Sequence, residues 1–179
     1  MNFCSHCGSS ELTISIPKHD TVARKVCLHC GTIHYENPKI IVASIPVKDN
    51  KILLCKRAIE PMKGKWTLPG GYMENGESAE EGAKRETMEE ANATIDIVRL
   101  HTIYSLPHVN QVYLFFLGNV VSDFSAGEES LEVGLFAESE IPWEELVFSS
   151  AHYALKKYFD NPSEVQTHQG LYVPSDSKS

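Results

Sequence analysis

Two Cys-x-x-Cys pairs, Cys4/Cys7 and Cys27/Cys30, open the chain, and each is followed by a glycine, Gly8 and Gly31. Four thiolates delivered as two closely spaced pairs can surround one tetrahedral Zn²⁺. A glycine after each pair lets the backbone turn tightly enough for amides to reach the sulfurs. Between the pairs Leu12, Ile14 and Ile16 alternate as in a short strand, residues 21–26 read as its partner, and residues 17–20 as the turn. About 35 residues bury too little apolar surface to fold unaided, so a metal would supply the missing stability. Residues 1–35 are therefore expected to form a zinc ribbon, with Cys4, Cys7, Cys27 and Cys30 as ligands. His6 and His29 lie inside the pairs as alternative ligands, and a redox dithiol is the competing use. Four closed ligands leave no open coordination position, which makes the zinc structural. Cys55 lies in the apolar pattern of residues 51–56 and reads as a small core residue.

The 179 residues predict one domain plus a small appendage. The net charge of −8 argues against a general nucleic-acid binder. No apolar run approaches the roughly 20 residues that span a bilayer. The first residues lack a basic stretch and an apolar segment, so a cytoplasmic protein is expected. The charge is uneven: residues 36–70 carry seven bases against three acids, and residues 71–93 carry seven glutamates against Lys84 and Arg85. A basic block beside an acidic one could hold anionic oxygens and cations respectively, although solvated surface charge is the commoner use of any single run. Residues 36–161 are expected to form the main domain and 162–179, polar and closed by serines, a poorly ordered tail.

Residues 39–47 and 51–58 read as a hairpin turned at Asp49-Asn50. Pro69-Gly70-Gly71 is a tight turn whose carbonyls can face a ligand. Ser78 then opens a helix as N-cap, with Glu81 three residues on completing a capping box. The helix runs to about Ala91, and Asn92 suits its C-terminal cap. Ala79, Ala83, Thr87 and Ala91 make a narrow stripe that could pack close to a sheet. Glu86, Glu89 and Glu90 share an arc of roughly 100° beside it. Three carboxylates on one arc repel each other unless a cation sits among them. All-oxygen ligands suit Mg²⁺ or Mn²⁺ rather than zinc.

The pattern Gly71-x5-Glu77-x7-Arg85-Glu86-Thr87-x-Glu89-Glu90-x-Asn92-Ala93 resembles the Nudix box. Its charged positions and first glycine match; Thr87, Asn92 and Ala93 depart, where the box carries an aliphatic residue, a glycine and a larger aliphatic residue. The resemblance implies an α/β fold, a Nudix α/β/α sandwich with a mixed sheet, preceded by the ribbon. A second helix is expected over residues 149–159. The resemblance also implies Mg²⁺ (or Mn²⁺) held by Glu86, Glu89 and Glu90 with the Gly71 carbonyl, and an Arg85–Glu77 ion pair orienting loop and helix. Arg57, near Lys56, Lys63 and Lys65, would clamp phosphates. The general base is open between Glu90 and two residues of a later loop, Glu129 and Glu132.

With its ribbon, the chain is similar to zinc-ribbon Nudix hydrolases, the ADP-ribose pyrophosphatases and plant FAD diphosphatases. That implies hydrolysis of FAD to FMN and AMP, or of ADP-ribose to AMP and ribose 5-phosphate. The alternatives are a broad nucleotide-sanitising enzyme, an NADH pyrophosphatase, and a nucleotide-sensing or zinc-ribbon binding module without turnover. Residues 104–113 lack the signature of the NADH-cleaving branch. Tyr104 or Tyr113 could stack on a base, with core packing the competing use of Tyr113. The partners expected are a small nucleotide substrate and, as in similar hydrolases, a second copy in a homodimer; neither nucleic acid nor membrane is expected.

Overall fold

The computed structural model describes residues 1–160 and 165–173. The chain divides into two units, one of residues 1–37 and one beginning at Pro38. In the first, β1 (Leu12–Ser15) pairs antiparallel with β2 (Arg24–Cys27), Leu12 standing opposite Cys27. A two-residue strand, β3 (Ile33–His34), adds to β2. The turn extends further than the sequence predicts, because the Asp20 carboxylate accepts the amides of Thr21 and Val22 as well as the Arg24 guanidinium. Those amides are therefore committed to the turn, and β2 starts only at Arg24.

The second unit is built on a mixed sheet. Its strands are β4 (Lys39–Lys48), β5 (Lys51–Arg57), β6 (Trp66–Thr67), β7 (Gly70–Tyr72), β8 (Ile95–Leu106), β9 (Gln111–Val120), β10 (Ser130–Phe136) and β11 (His168–Leu171). The order is β10-β5-β4-β9-β8-β11, with β6 on β5 and β7 on β4. The β4–β5 hairpin turns at Asp49 and Asn50, both at positive φ (52° and 59°), as a two-residue hairpin turn requires. β4 and β9 pair in parallel over nine residues, Lys39↔Gln111 to Val47↔Asn119, and β8 returns antiparallel to β9.

Helix α1 (Ala79–Ala91) covers one face. Ser78 caps it through the predicted capping box, and Asn92 closes it in the left-handed conformation, its N–H donating to the Met88 carbonyl. Ala83 packs there with Val42 and Phe116, and Ala83, Thr87 and Ala91 are fully buried. Helix α2 (Ser149–Asp160) covers the other face. Its Ala151, Ala154 and Leu155 pack on Ala43, Ile45 and Phe115. The architecture is the α/β/α sandwich expected from the sequence.

The C-terminal stretch differs from its prediction. Residues 161–164 and 174–179 lie outside the described residues, so the tail reading of those positions is not addressed. Residues 168–171, however, form β11, parallel to β8 from Thr102 to Ser105. Gly170 admits the Tyr104 and Tyr153 rings, since a Cβ would lie 2.5 Å from Tyr104 Cδ2. The Tyr153 hydroxyl ties the strand down by donating to the Gln169 carbonyl at 2.6 Å. Among the described residues no helix is long and apolar enough to cross a membrane.

Candidate active site and metal centre

In the ribbon, the four thiols of Cys4, Cys7, Cys27 and Cys30 lie within 4.8 Å of one another, and all are free rather than disulfide-bonded. The Cys4–Cys30 and Cys7–Cys27 sulfurs are each 3.7 Å apart. Tetrahedral zinc with bonds of about 2.3 Å would place sulfurs about 3.8 Å apart, so the cluster has the right size for one ion. Gly8 and Gly31 take matching positive φ values, 75° and 73°, and donate to the Cys4 and Cys27 carbonyls. The Thr32 hydroxyl and amide draw the Cys30 thiol down to about 6, while, against the Ser9 backbone bond, the contact with Cys30 and burial push the neighbouring Cys7 thiol up. His6 and His29 are exposed and not part of the cluster.

In the second unit, Arg85 is the hub of the acidic surface. Its Nε and Nη2 donate to the two Glu77 carboxylate oxygens, both at 3.0 Å. Its Nη1 donates to Glu86 at 2.8 Å and Glu89 at 2.9 Å, and Nη2 also reaches the Tyr72 carbonyl. One planar guanidinium thus ties the loop before α1, the helix and β7 together, which a lysine could not do. The Arg85 fork and the Glu74 amide hold the Glu77 carboxyl down to about 2.

Glu86 and Glu90 are buried, at 9% and 7% exposure, while Glu89 is open. Burial, then the neighbouring Glu86 charge, pushes the Glu90 carboxyl up to about 8, although the Gly70 amide and Arg57 oppose this. Burial also raises Glu86, against the pull of Arg85. Gly71 lies against the Glu86 carboxylate, and a Cβ there would stand 2.5 Å from Glu86 Oε1. A side chain at position 71 would fill the space between turn and carboxylate. The candidate donors are all oxygen, and two carboxylates raised by burial stand close together. This donor set fits a hard divalent cation.

These groups line a cavity of about 1170 Å³. Arg57 lies on its wall, with its Nε donating to the Pro61 carbonyl and its guanidinium 5.5 Å from the Phe148 ring centre. Glu129 lines it too. Asn92 brings that loop in, its Nδ2 donating to Ser125 Oγ and the Ala126 carbonyl, while the Gly127 amide bonds to the Glu90 carbonyl. Glu132 instead pairs with Lys56 on the surface. Neither Lys63 nor Lys65 lines the cavity. Tyr104 does not line it either: it is 7% exposed and packs on Tyr153 at a centroid distance of 5.1 Å. Tyr113, by contrast, stands in the wall.

Tyr72, Gln111, Phe148 and Ser150 also line the cavity and are not singled out by the sequence. Phe148 sits at φ 66°, a costly conformation for a bulky residue, immediately before α2. Ser150 Oγ is buried and has no hydrogen-bond partner among the described residues. The alternation Gln111, Tyr113, Phe115 on one strand was the available signal for Gln111; the others follow from tertiary contacts.

A mixed sheet between two helices, with a Glu-rich helix set against a glycine turn, defines a Nudix-type fold and site. The NUDIX domain family matches residues 38–159, and the Nudix N-terminal zinc-ribbon family matches residues 2–36. The chain belongs to the Nudix hydrolase family. A Nudix hydrolase structure from Nitrosomonas europaea is similar at TM-score 0.90 and 51% identity, covering 96% of this chain and 99% of that one. An ADP-ribose pyrophosphatase of Methanocaldococcus jannaschii is 37% identical over 114 residues, 60% of this chain and 67% of that protein. The NAD-capped RNA hydrolase NudC of Chromobacterium violaceum is 26% identical over 171 residues, 92% of this chain and 60% of that protein. The match spans between 35% and 60% of the bacterial NAD-capped RNA hydrolases.

Proposed function

We propose that the chain hydrolyses the diphosphate of a nucleoside diphosphate derivative with Mg²⁺ or Mn²⁺, with FAD and ADP-ribose as its substrates. The observation that carries this reading is the Arg85 fork, which is anchored on Glu77 and holds Glu86 and Glu89 at one wall of a cavity large enough for a dinucleotide. Glu86, Glu89 and Glu90, with the Gly71 carbonyl, would hold the cation. When bound, such an ion offsets phosphate charge and makes water a better nucleophile. Arg57, braced by Pro61 and Phe148, would bind the diphosphate from the opposite side. Water adds at one phosphorus, the P–O–P bond breaks, and two phosphomonoesters leave. Glu129, at the cavity wall and outside the Arg85 fork, is the base this arrangement favours for taking the water proton.

The likeness to NAD-capped RNA hydrolases supports a second reading, in which NAD-type diphosphates are cleaved. Product analysis on FAD, ADP-ribose, NADH, an NAD-capped RNA and an oxidised dGTP, each with Mg²⁺, separates the readings. FMN plus AMP from FAD, and AMP plus ribose 5-phosphate from ADP-ribose, are expected to form fastest. Faster cleavage of NADH or capped RNA would replace the substrate reading, and no turnover of any of them would end the hydrolase reading. Glu89→Gln should abolish nearly all turnover in a folded protein; retained turnover would mean the metal site is elsewhere. For the ribbon we propose zinc. A chelator should release one zinc per chain, read by a colorimetric indicator, and loosen residues 1–37 to proteolysis.

A further inference from the structure

Resting on the nucleotide reading of this cavity, we infer that Gln111 is its base-reading residue and that it selects adenine. Tyr72, Ile41 and Tyr113 stand in register across β7, β4 and β9, so their side chains share one face of the sheet. Gln111 lies two residues before Tyr113 on β9 and therefore faces the same way. All four line the cavity.

The carboxamide of Gln111 is held between the two tyrosines. Its Nε2 donates to the Tyr72 hydroxyl at 3.2 Å, and its Oε1 accepts from the Tyr113 hydroxyl at 3.4 Å. A carboxamide has two N–H groups and two acceptor positions. Among the hydrogen bonds of the described residues, one of each is used by the tyrosines. One N–H and one lone pair remain on a side chain of the cavity wall. That pair matches the N7 acceptor and N6 donor edge of adenine, the bidentate contact a glutamine makes. Hypoxanthine and guanine offer two acceptors along the same edge, N7 and O6, so the glutamine oxygen would face one acceptor or the other however the amide is turned. The Tyr72 ring is half exposed and has Lys39 Nζ 5.0 Å from its centre, which leaves an aromatic surface beside the reading group. FAD, ADP-ribose and NAD-type diphosphates all carry adenine, so this subsite accounts for a shared half and leaves the other half to the rest of the cavity.

The test is calorimetric binding of AMP, IMP, CMP and 7-deaza-AMP to the full chain with Mg²⁺, for wild type and Gln111→Met. A good bidentate contact discriminates by about tenfold or more. AMP should bind at least about tenfold tighter than IMP or CMP, with 7-deaza-AMP in between, and the AMP to IMP ratio should fall to about one in Gln111→Met. Tyr113→Phe, which removes only the hydroxyl that holds the carboxamide, should lower the same ratio a few-fold. Equal binding of AMP with IMP or with CMP in wild type, or an unchanged ratio in both variants, would overturn the assignment. The readout is independent of turnover. A ratio lost in Gln111→Met, in a protein that hydrolyses nothing, would keep the adenine site and reject the hydrolase reading. Brisk hydrolysis with no base preference would do the reverse.

Discussion

Ser44 and Thr87 meet hydroxyl to hydroxyl at 2.7 Å across the contact of β4 with α1, and both are fully buried. Thr87 Oγ1 donates its proton to the Ala83 carbonyl, also at 2.7 Å, so Ser44 must be the donor between the two. The threonine that departs from the aliphatic position of the Nudix box thus has a partner, supplied by the strand it packs on.

Thr87→Val should therefore cost more than its size change suggests. It fits the same space but leaves the Ser44 hydroxyl buried without an acceptor, worth about 1–3 kcal/mol. The double variant Ser44→Ala/Thr87→Val removes both polar groups and should regain most of that loss. Urea denaturation of the two single variants and the double closes the cycle; additive losses would show that the pair is not coupled.

Asn92 is the second departure from the box. At φ 47° and ψ 33° it occupies the left-handed region that the box fills with glycine, and its side chain also holds residues 125 and 126. Asn92→Ala should cost about 1–2 kcal/mol through the backbone alone. Asn92→Gly keeps the backbone free but drops the side-chain bonds. It should stay within about 1 kcal/mol of wild type while amide exchange at residues 125–129 speeds up. Slow exchange there in the glycine variant would mean that the loop holding Glu129 is fixed by other contacts.

What could be read from sequence follows from how local each feature is. The arc of Glu86, Glu89 and Glu90, the Ser78 cap and the Asn92 end all lie within one helix, where spacing translates directly into position. The Cys pairs are equally explicit, because each pair is set by its own local turn and the structure brings the four sulfurs within 4.8 Å of one another. The cavity wall was harder to read. Tyr113 and Gln111 reach it because β9 pairs in parallel with β4, more than 70 residues earlier, and because β7 adds to β4 beside them. Tyr104 directly opposes Tyr113 in the sheet, yet α2 and Gly170 cover it. Likewise β11 has little apolar alternation of its own. Its place depends on a glycine that two tyrosine rings require.

Glu90 should report cation binding through a proton. With its carboxyl raised to about 8 by burial and by Glu86, the metal-free protein at pH 7 keeps roughly nine-tenths of these side chains protonated. A divalent cation ligated there must displace that proton. Titration with Mg²⁺ in buffers of different ionisation enthalpy should show release of close to one proton per ion at pH 7. Affinity should rise with pH until about pH 8 and then level. Glu90→Gln should abolish the proton release. Release of no protons at pH 7 in the wild type would mean that Glu90 is not displaced by the ion.

His101 sets a separate pH dependence, in stability rather than in activity. It is fully buried on β8, edge-on to His168 at 5.1 Å and to Tyr158 at 6.3 Å. Burial, with the positive fields of Arg99 and His168, lowers it to about 4 from an ordinary 6.5. Between those values the unfolded chain takes up a proton that the folded chain refuses. The stability from this residue is therefore intact above about pH 6.5 and lost progressively as the pH falls towards 4. The full loss is on the order of 3 kcal/mol, since each tenfold difference in proton affinity between the folded and unfolded chain is worth about 1.4 kcal/mol. Urea denaturation at pH 7.5, 6, 5 and 4.5 should show the decline. His101→Phe, which keeps a ring in the same space but cannot take a proton, should flatten most of it. An equally steep decline in that variant would assign the acid sensitivity to other groups.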